Sequence, residues 1–215
     1  FQRNGNTFII TQKDERAIIH WDDFSIAKEE ITKFIQPLKT SAILNRVITK
    51  SPSQIFGTLQ SNGVVFLINQ NGILIGPEGK IQTAGFLAST LNTKDEDFLN
   101  GKDIVFKDGF GQIEHLGSIE SSTVYFLSRK IEENGKTNAD SVHILSGEEI
   151  LLFKQGDKNA VVVSGKGSID QKGLIESIKV NLQANGGDLF SLAINQEGII
   201  HANGIKENNG EIILS

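Results

Sequence analysis

The feature that most constrains this chain is its punctuation. Short β-forming runs, most of them three to six residues long, are punctuated by Gly and Asn. Val64–Ile68, Ile73–Ile75 and residues 124–127, 150–153, 161–163 and 212–214 are such runs, rich in β-branched and aromatic side chains. Asn-Gly recurs eight times, beginning at Asn4, Asn62, Asn71, Asn100, Asn134, Asn185, Asn203 and Asn209. Asn and Gly reach positive φ at little cost, so one pair suggests a hairpin and many suggest the corners of a coil. Gly-x-Ile units interleave with them, ending at Ile81, Ile113, Ile119, Ile169, Ile200 and Ile212. Their steps, on the order of 20 residues, are those of solenoid coils.

An internal echo supports stacked repeats. Residues 124–139 (VYFLSRKIEENGKTNA) resemble residues 189–202 (LFSLAINQEGIIHA), each a strand, a polar corner, a Gly and a short strand ending in Ala. Such units stack because one alone cannot bury its apolar face. An antiparallel sandwich fits the turn frequency as well, and the echo favours the solenoid. Two segments break the pattern. Residues 26–35 (IAKEEITKFI) place Ile31, Phe34 and Ile35 on one helical face behind Ser25, so helix is an alternative there. Residues 92–103 are charged and turn-rich and read as a loop leaving the coil.

The chemistry is sparse. A net charge of −5 argues against a nucleic-acid or anionic-membrane face. The absence of Cys excludes disulfides, thiolate metal sites and a Cys nucleophile. With no Met, Phe1 is not expected to be a translation start, and the final run lacks a closing element, so further coils are expected after it. His20, His115, His143 and His201 lie far apart in sequence and read as isolated polar residues, His143 and His201 pointing outward. The adjacent carboxylates Asp22-Asp23, Asp95-Glu96-Asp97 and Glu132-Glu133 read as solvated turn charges, since strand neighbours face opposite ways. No hydrolase elbow, phosphate loop or EF-hand pattern is present, and no cofactor or metal is expected.

Five stretches in order carry a specific resemblance: AIIHWDDFSI (17–26), FIQP (34–37), LNRV (44–47), PSQIFGTLQSNGVVFLINQNGILIG (52–76) and GFLASTL (85–91). Together they resemble the N-terminal two-partner secretion domain of filamentous haemagglutinin-type exoproteins, strongly over about the first 90 residues. The resemblance implies an all-β, right-handed parallel β-helix with an N-terminal β cap and extra-helical β elements. It implies one domain over 1–215, with 1–91 holding the cap and motifs and 92–215 further coils with excursions.

The implied partner is an outer-membrane two-partner secretion pore protein with periplasmic POTRA domains. The implied destination is the medium or the cell surface. The implied parent is an adhesin or haemagglutinin, a haemolysin or a contact-dependent toxin.

The family's Asn-Pro-Asn-Gly-Ile motif stands here as Asn69-Gln70-Asn71-Gly72-Ile73, with Gln70 replacing the Pro, and its Asn-Arg-Val motif as Asn45-Arg46-Val47. The resemblance makes Asn45, Arg46, Asn69, Asn71 and Gly72 candidates for a structural or transporter-recognition role, with Asn69, Asn71 and Gly72 expected to make a sharp corner and Arg46 to brace loops or backbone carbonyls. Trp21 is expected to pack in the cap. The expected mechanism is recognition in an extended form, then folding outside, each coil templating the next. Two other readings stay open: a module that itself binds glycan or cell surface, and a β-helix polysaccharide-active enzyme.

Overall fold

A computed structural model describes residues 1–101, 103–155, 158–186, 192–202, 205–208 and 211–214. The chain winds as a parallel β-helix. One wall is a 12-stranded sheet and the other a six-stranded sheet. Successive coils stack in parallel register, so like falls on like. Ile73, Ile113, Ile131, Ile169 and Ile194 form one column on the smaller wall. Leu59, Ile81, Ile119, Thr137, Ile175 and Ile200 form a column on the larger wall. Four isoleucines of the Gly-x-Ile units, Ile81, Ile113, Ile119 and Ile169, are therefore buried in the lumen and Ile200 packs half-buried against them, while the Ile212 side chain lies outside the described residues. Each fully buried aliphatic side chain contributes about 1.5–3 kcal/mol, and the β-branched ones suit the pleated wall. The parallel pairing excludes the sandwich.

The internal echo is a true register. Ile131 pairs with Ile169 and Ile169 with Ile194, while Ala139 pairs with Ser177 and Ser177 with Ala202. The two copies sit two coils apart. The start of the second copy, residues 189–191, lies outside the described residues.

Two kinds of corner close each coil. In one, Gly57, Gly79, Gly117, Gly135, Gly173 and Gly198 stack, and each carbonyl from Gly57 to Gly173 accepts an N–H from the next coil at 2.9–3.0 Å. A Cβ on Gly117, Gly173 or Gly198 would overlap the carbonyl of the glycine beneath it. Close approach, not φ, requires glycine there. Among the described glycines positive φ is confined to Gly5, Gly72, Gly101, Gly165 and Gly186, so among the described Asn-Gly pairs Gly63 and Gly135 do not use it. The opposite corner is a buried polar column of Asn69, Thr90, Ser128 and Ser146. The Thr90 and Ser128 hydroxyls lie 2.6 Å apart, one donating to the other, and both sit 3.2 Å from the Gly111 carbonyl, which accepts from the hydroxyl whose proton is free.

The N-terminal end is covered by an antiparallel hairpin, Gln2–Asn4 with Thr7–Thr11, and an aromatic cluster. Phe1 stacks on Phe8 at 5.7 Å, Trp21 meets Phe8 and Phe24 edge-on, and Phe24 stacks on Phe34.

Residues 26–35 are extended, not helical. Ile26 bridges Ile55, Glu29 turns the chain at φ 66°, and Ile31–Ile35 pairs in parallel with Thr7–Thr11 and Thr58–Ser61. The ladder on both sides overrides helical spacing. The charged excursion over 92–103 contains a short helix, Asp95–Asn100, ended by Gly101 in the left-handed region. It anchors Phe98 in a second core outside the coils, with Leu44, Leu87, Phe106, Leu127 and Ile150. An antiparallel sheet of Ile104–Lys107, Glu149–Gln155 and Lys158–Ser164 roofs that core.

Candidate functional site

The Asn69–Gly72 corner joins the strands Val64–Ile68 and Ile73–Ile75. Both strands bury alternate apolar residues, so the turn must be tight, and Asn69 is pulled inside with no exposed surface. Its Nδ2 donates to the Ser51 carbonyl at 2.9 Å and to Ser53 Oγ at 3.0 Å, reaching the preceding coil. Its Oδ1 accepts the Asn71 N–H at 3.0 Å, an Asx turn. The Gly72 N–H donates to the Asn69 carbonyl at 3.1 Å, and Gly72 sits at φ 128°, where a side chain would be strained. Asn71 is exposed, and its Nδ2 donates to the Thr49 carbonyl at 2.8 Å.

Gln70, in place of the family Pro, reaches the other way. Its Nε2 donates to the Asp108 carbonyl, and its own carbonyl accepts the Gly111 N–H at 2.8 Å. The corner thus clips three successive turns of chain. Sequence alone did not reveal the Gln70–Asp108 link, because the partner is supplied by an excursion of unknown register.

Asn45 and Arg46 point to opposite sides of the strand Ala42–Val47. Asn45 faces the lumen, fully buried. It accepts the Trp21 indole N–H at 2.9 Å and donates to the Phe66 carbonyl at 3.2 Å. Arg46 faces outward to the excursion. Its Nε donates to Asn92 Oδ1 at 3.0 Å, its Nη2 to the Thr93 carbonyl at 2.6 Å, and its Nη1 to the Asp95 carboxylate. His20 Nε2 lies 3.2 Å from Nη1. Arg46 therefore fastens the helix Asp95–Asn100 to the coil. The two Asn-bearing motifs share no hydrogen bond; they brace different places in the early coils.

A second buried polar array escaped the sequence reading. Glu133 is not a solvated turn charge: it is fully buried, its Oε1 2.9 Å from the equally buried His115 Nδ1. Gln171 Nε2 donates to Glu133 Oε2 at 3.2 Å, and Gln196 Nε2 to Gln171 Oε1 at 3.1 Å. These residues occupy one register column, His115, Glu133, Gln171 and Gln196, so only the coil spacing brings them together. Gly135 leaves the room that His115 occupies.

His143 is buried rather than solvent-facing, stacked on Tyr125 at 4.4 Å, and burial, then Lys179, pushes its pKa down to about 4. His201 is exposed. Among the described residues no group of three or more His, Asp or Glu is placed to hold a metal ion. No described helix is long and apolar enough to cross a membrane.

The likenesses to known proteins agree with this geometry. The family model of the TPS secretion domain matches residues 1–215. A heme/hemopexin-binding protein of Haemophilus influenzae (strain ATCC 51907 / DSM 11121 / KW20 / Rd) is 30% identical over 98% of this chain. A second Haemophilus influenzae protein of that name is 29% identical over 96%. The chain spans only about a quarter of each relative, 25% and 26%. Among solved structures, the HMW1 secretion domain from Haemophilus influenzae superposes with a TM-score of 0.69 at 28% identity, covering 94% of this chain and 62% of that one. The filamentous hemagglutinin secretion domain superposes with a TM-score of 0.55 at 14% identity, covering 86% and 84%, and supports the fold alone. With motifs, coil topology and family model in agreement, the chain belongs to the TPS secretion domain family, the domain through which exoproteins are exported by an outer-membrane transporter.

Proposed function

We propose that the transporter reads this domain while it is still extended, through its periplasmic POTRA domains, and that the same residues then build the folded start of the β-helix. The observation that carries this reading is burial. Asn45 and Asn69 expose no surface once folded, and their amides are already bonded within the chain. A partner that contacts them does so before folding, when an extended segment can add to a receiving sheet edge.

Folding outside then proceeds from the aromatic cap, each coil pairing mainly with its neighbour, and a folded coil resists backsliding. Residues 1–215 act in this reading as one folding unit without catalytic activity. The parent is an exported binding protein, of the heme- or hemopexin-directed kind its relatives' name suggests, or an adhesin, haemolysin or toxin.

The test is capture by the transporter's periplasmic region. Chain held unfolded in dilute urea is expected to be captured, and chain folded beforehand is not. Equal capture of both forms contradicts the reading.

A further inference from the structure

Between the outer face of the coils and the roofing sheet lies a cavity of about 300 Å³. Phe66, Leu87 and Tyr125 line it from the coils, and Ile104, Leu152 and Phe153 from the roof. Such a volume and lining suit a small apolar ligand with one polar anchor. The anchor present is Arg16, which lines the same cavity.

Gly101 makes the seat for this side chain: at φ 63°, a Cβ there would collide with the guanidinium. Arg16 lies over the Phe98 ring at 5.2 Å, and its Nη1 donates to the Phe98 carbonyl at 2.6 Å. Arg46, on the next strand, is neutralised by Asp95, but among the described residues no carboxylate pairs with Arg16. Its Nε and Nη2 are given no acceptor by any described residue. A half-buried cation at an apolar opening is matched by a single anionic head that accepts two parallel N–H bonds.

We propose that this cavity binds a single-chain amphiphile with a carboxylate head, a medium-chain fatty acid, its tail between Phe66 and Leu152 and its head on Arg16. Thr123 and Tyr125 carry the only side-chain hydroxyls among the described lining residues, too few to match the several hydroxyls of a sugar. One chain fits the volume where a two-chain lipid does not. The site is separate from the Asn69–Gly72 corner, so the secretion reading neither supports nor needs it.

Calorimetric titration of the folded chain with decanoate, below its aggregation concentration, tests this. One saturable site is expected. Arg16→Gln should weaken decanoate about tenfold, the loss of roughly one charge-assisted contact, yet leave decanol unchanged. Thr123→Trp, which fills the cavity from its floor, should abolish both. Thermal melts establish that each variant is folded. If Arg16→Gln does not fold, Arg16→Lys, retaining charge without the two-point geometry, is expected to bind decanoate more weakly. Absence of saturable binding overturns the proposal. So does binding that survives Thr123→Trp, or association only with anionic phosphatidylglycerol vesicles.

Discussion

The indole N–H of Trp21 is held by Oδ1 of Asn45 at 2.9 Å, inside the first coils. Asn45 is a polar residue in an apolar lumen, tolerated because both ends of its amide are used: the oxygen by Trp21, the nitrogen by the Phe66 carbonyl. Asn45→Ala leaves two buried groups without partners, and a cost of about 2–4 kcal/mol is expected. Urea unfolding followed by Trp21 fluorescence measures it, because the chain has one Trp. Asn45→Asp keeps the acceptor but puts a carboxylate in the apolar lumen and removes the donor to the Phe66 carbonyl, so a loss at least as large as that of Asn45→Ala is expected near neutral pH.

The glycine corner makes a sharper steric prediction. Gly117→Ala and Gly173→Ala each drive a methyl into the carbonyl of the coil below. Each is expected to destabilise by about 1–3 kcal/mol through forced backbone displacement. Gly5→Ala, where a Cβ meets nothing within 4 Å, should lose only what its φ of 57° demands. A melting series on the three variants checks the order. Equal losses at all three would mean that corner contact is unimportant.

Glu133 and His115 form a buried pair whose removal should be asymmetric. His115→Ala strands a buried carboxylate and is expected to cost about 3–5 kcal/mol. Glu133→Gln keeps the hydrogen-bonding shape of its neighbour Gln171 in the same column and should cost less. Chemical denaturation of both variants decides whether the pair matters as charge or as a hydrogen-bonded rung.

His143 links stability to pH. Its folded pKa is lowered to about 4, against an ordinary 6.5, so the folded chain keeps it neutral where the unfolded chain takes up a proton. Its contribution is complete above about pH 6.5 and is lost as pH falls toward 4, by at most about 3 kcal/mol. His143→Gln should flatten the stability profile between these limits. An unchanged slope would place the acid sensitivity elsewhere.

How much of this was legible in the sequence follows from which contacts are local. The strands around Val64–Ile68 and Ile73–Ile75 were readable because β-branched runs between turn residues need no partner to be recognised. The tight corner at Asn69 was readable for the same reason. Residues 26–35 stayed open between helix and strand, since the spacing of Ile31, Phe34 and Ile35 fits a helix face and only parallel pairing on both sides decides for the strand. Glu133 misled because the His that meets it comes from the coil before, at a register set by the intervening corner glycines. Arg46 could be named, but its partners Asn92, Thr93 and Asp95 depend on how the excursion folds back.

Recognition of the Asn69–Gly72 corner is tested by export of a reporter fused after this domain, in cells carrying its transporter, with Asn69 and Asn71 both changed to Ala. Loss of the reporter from the medium is expected, with precursor remaining inside the cell. Export at the unmodified level would contradict such recognition.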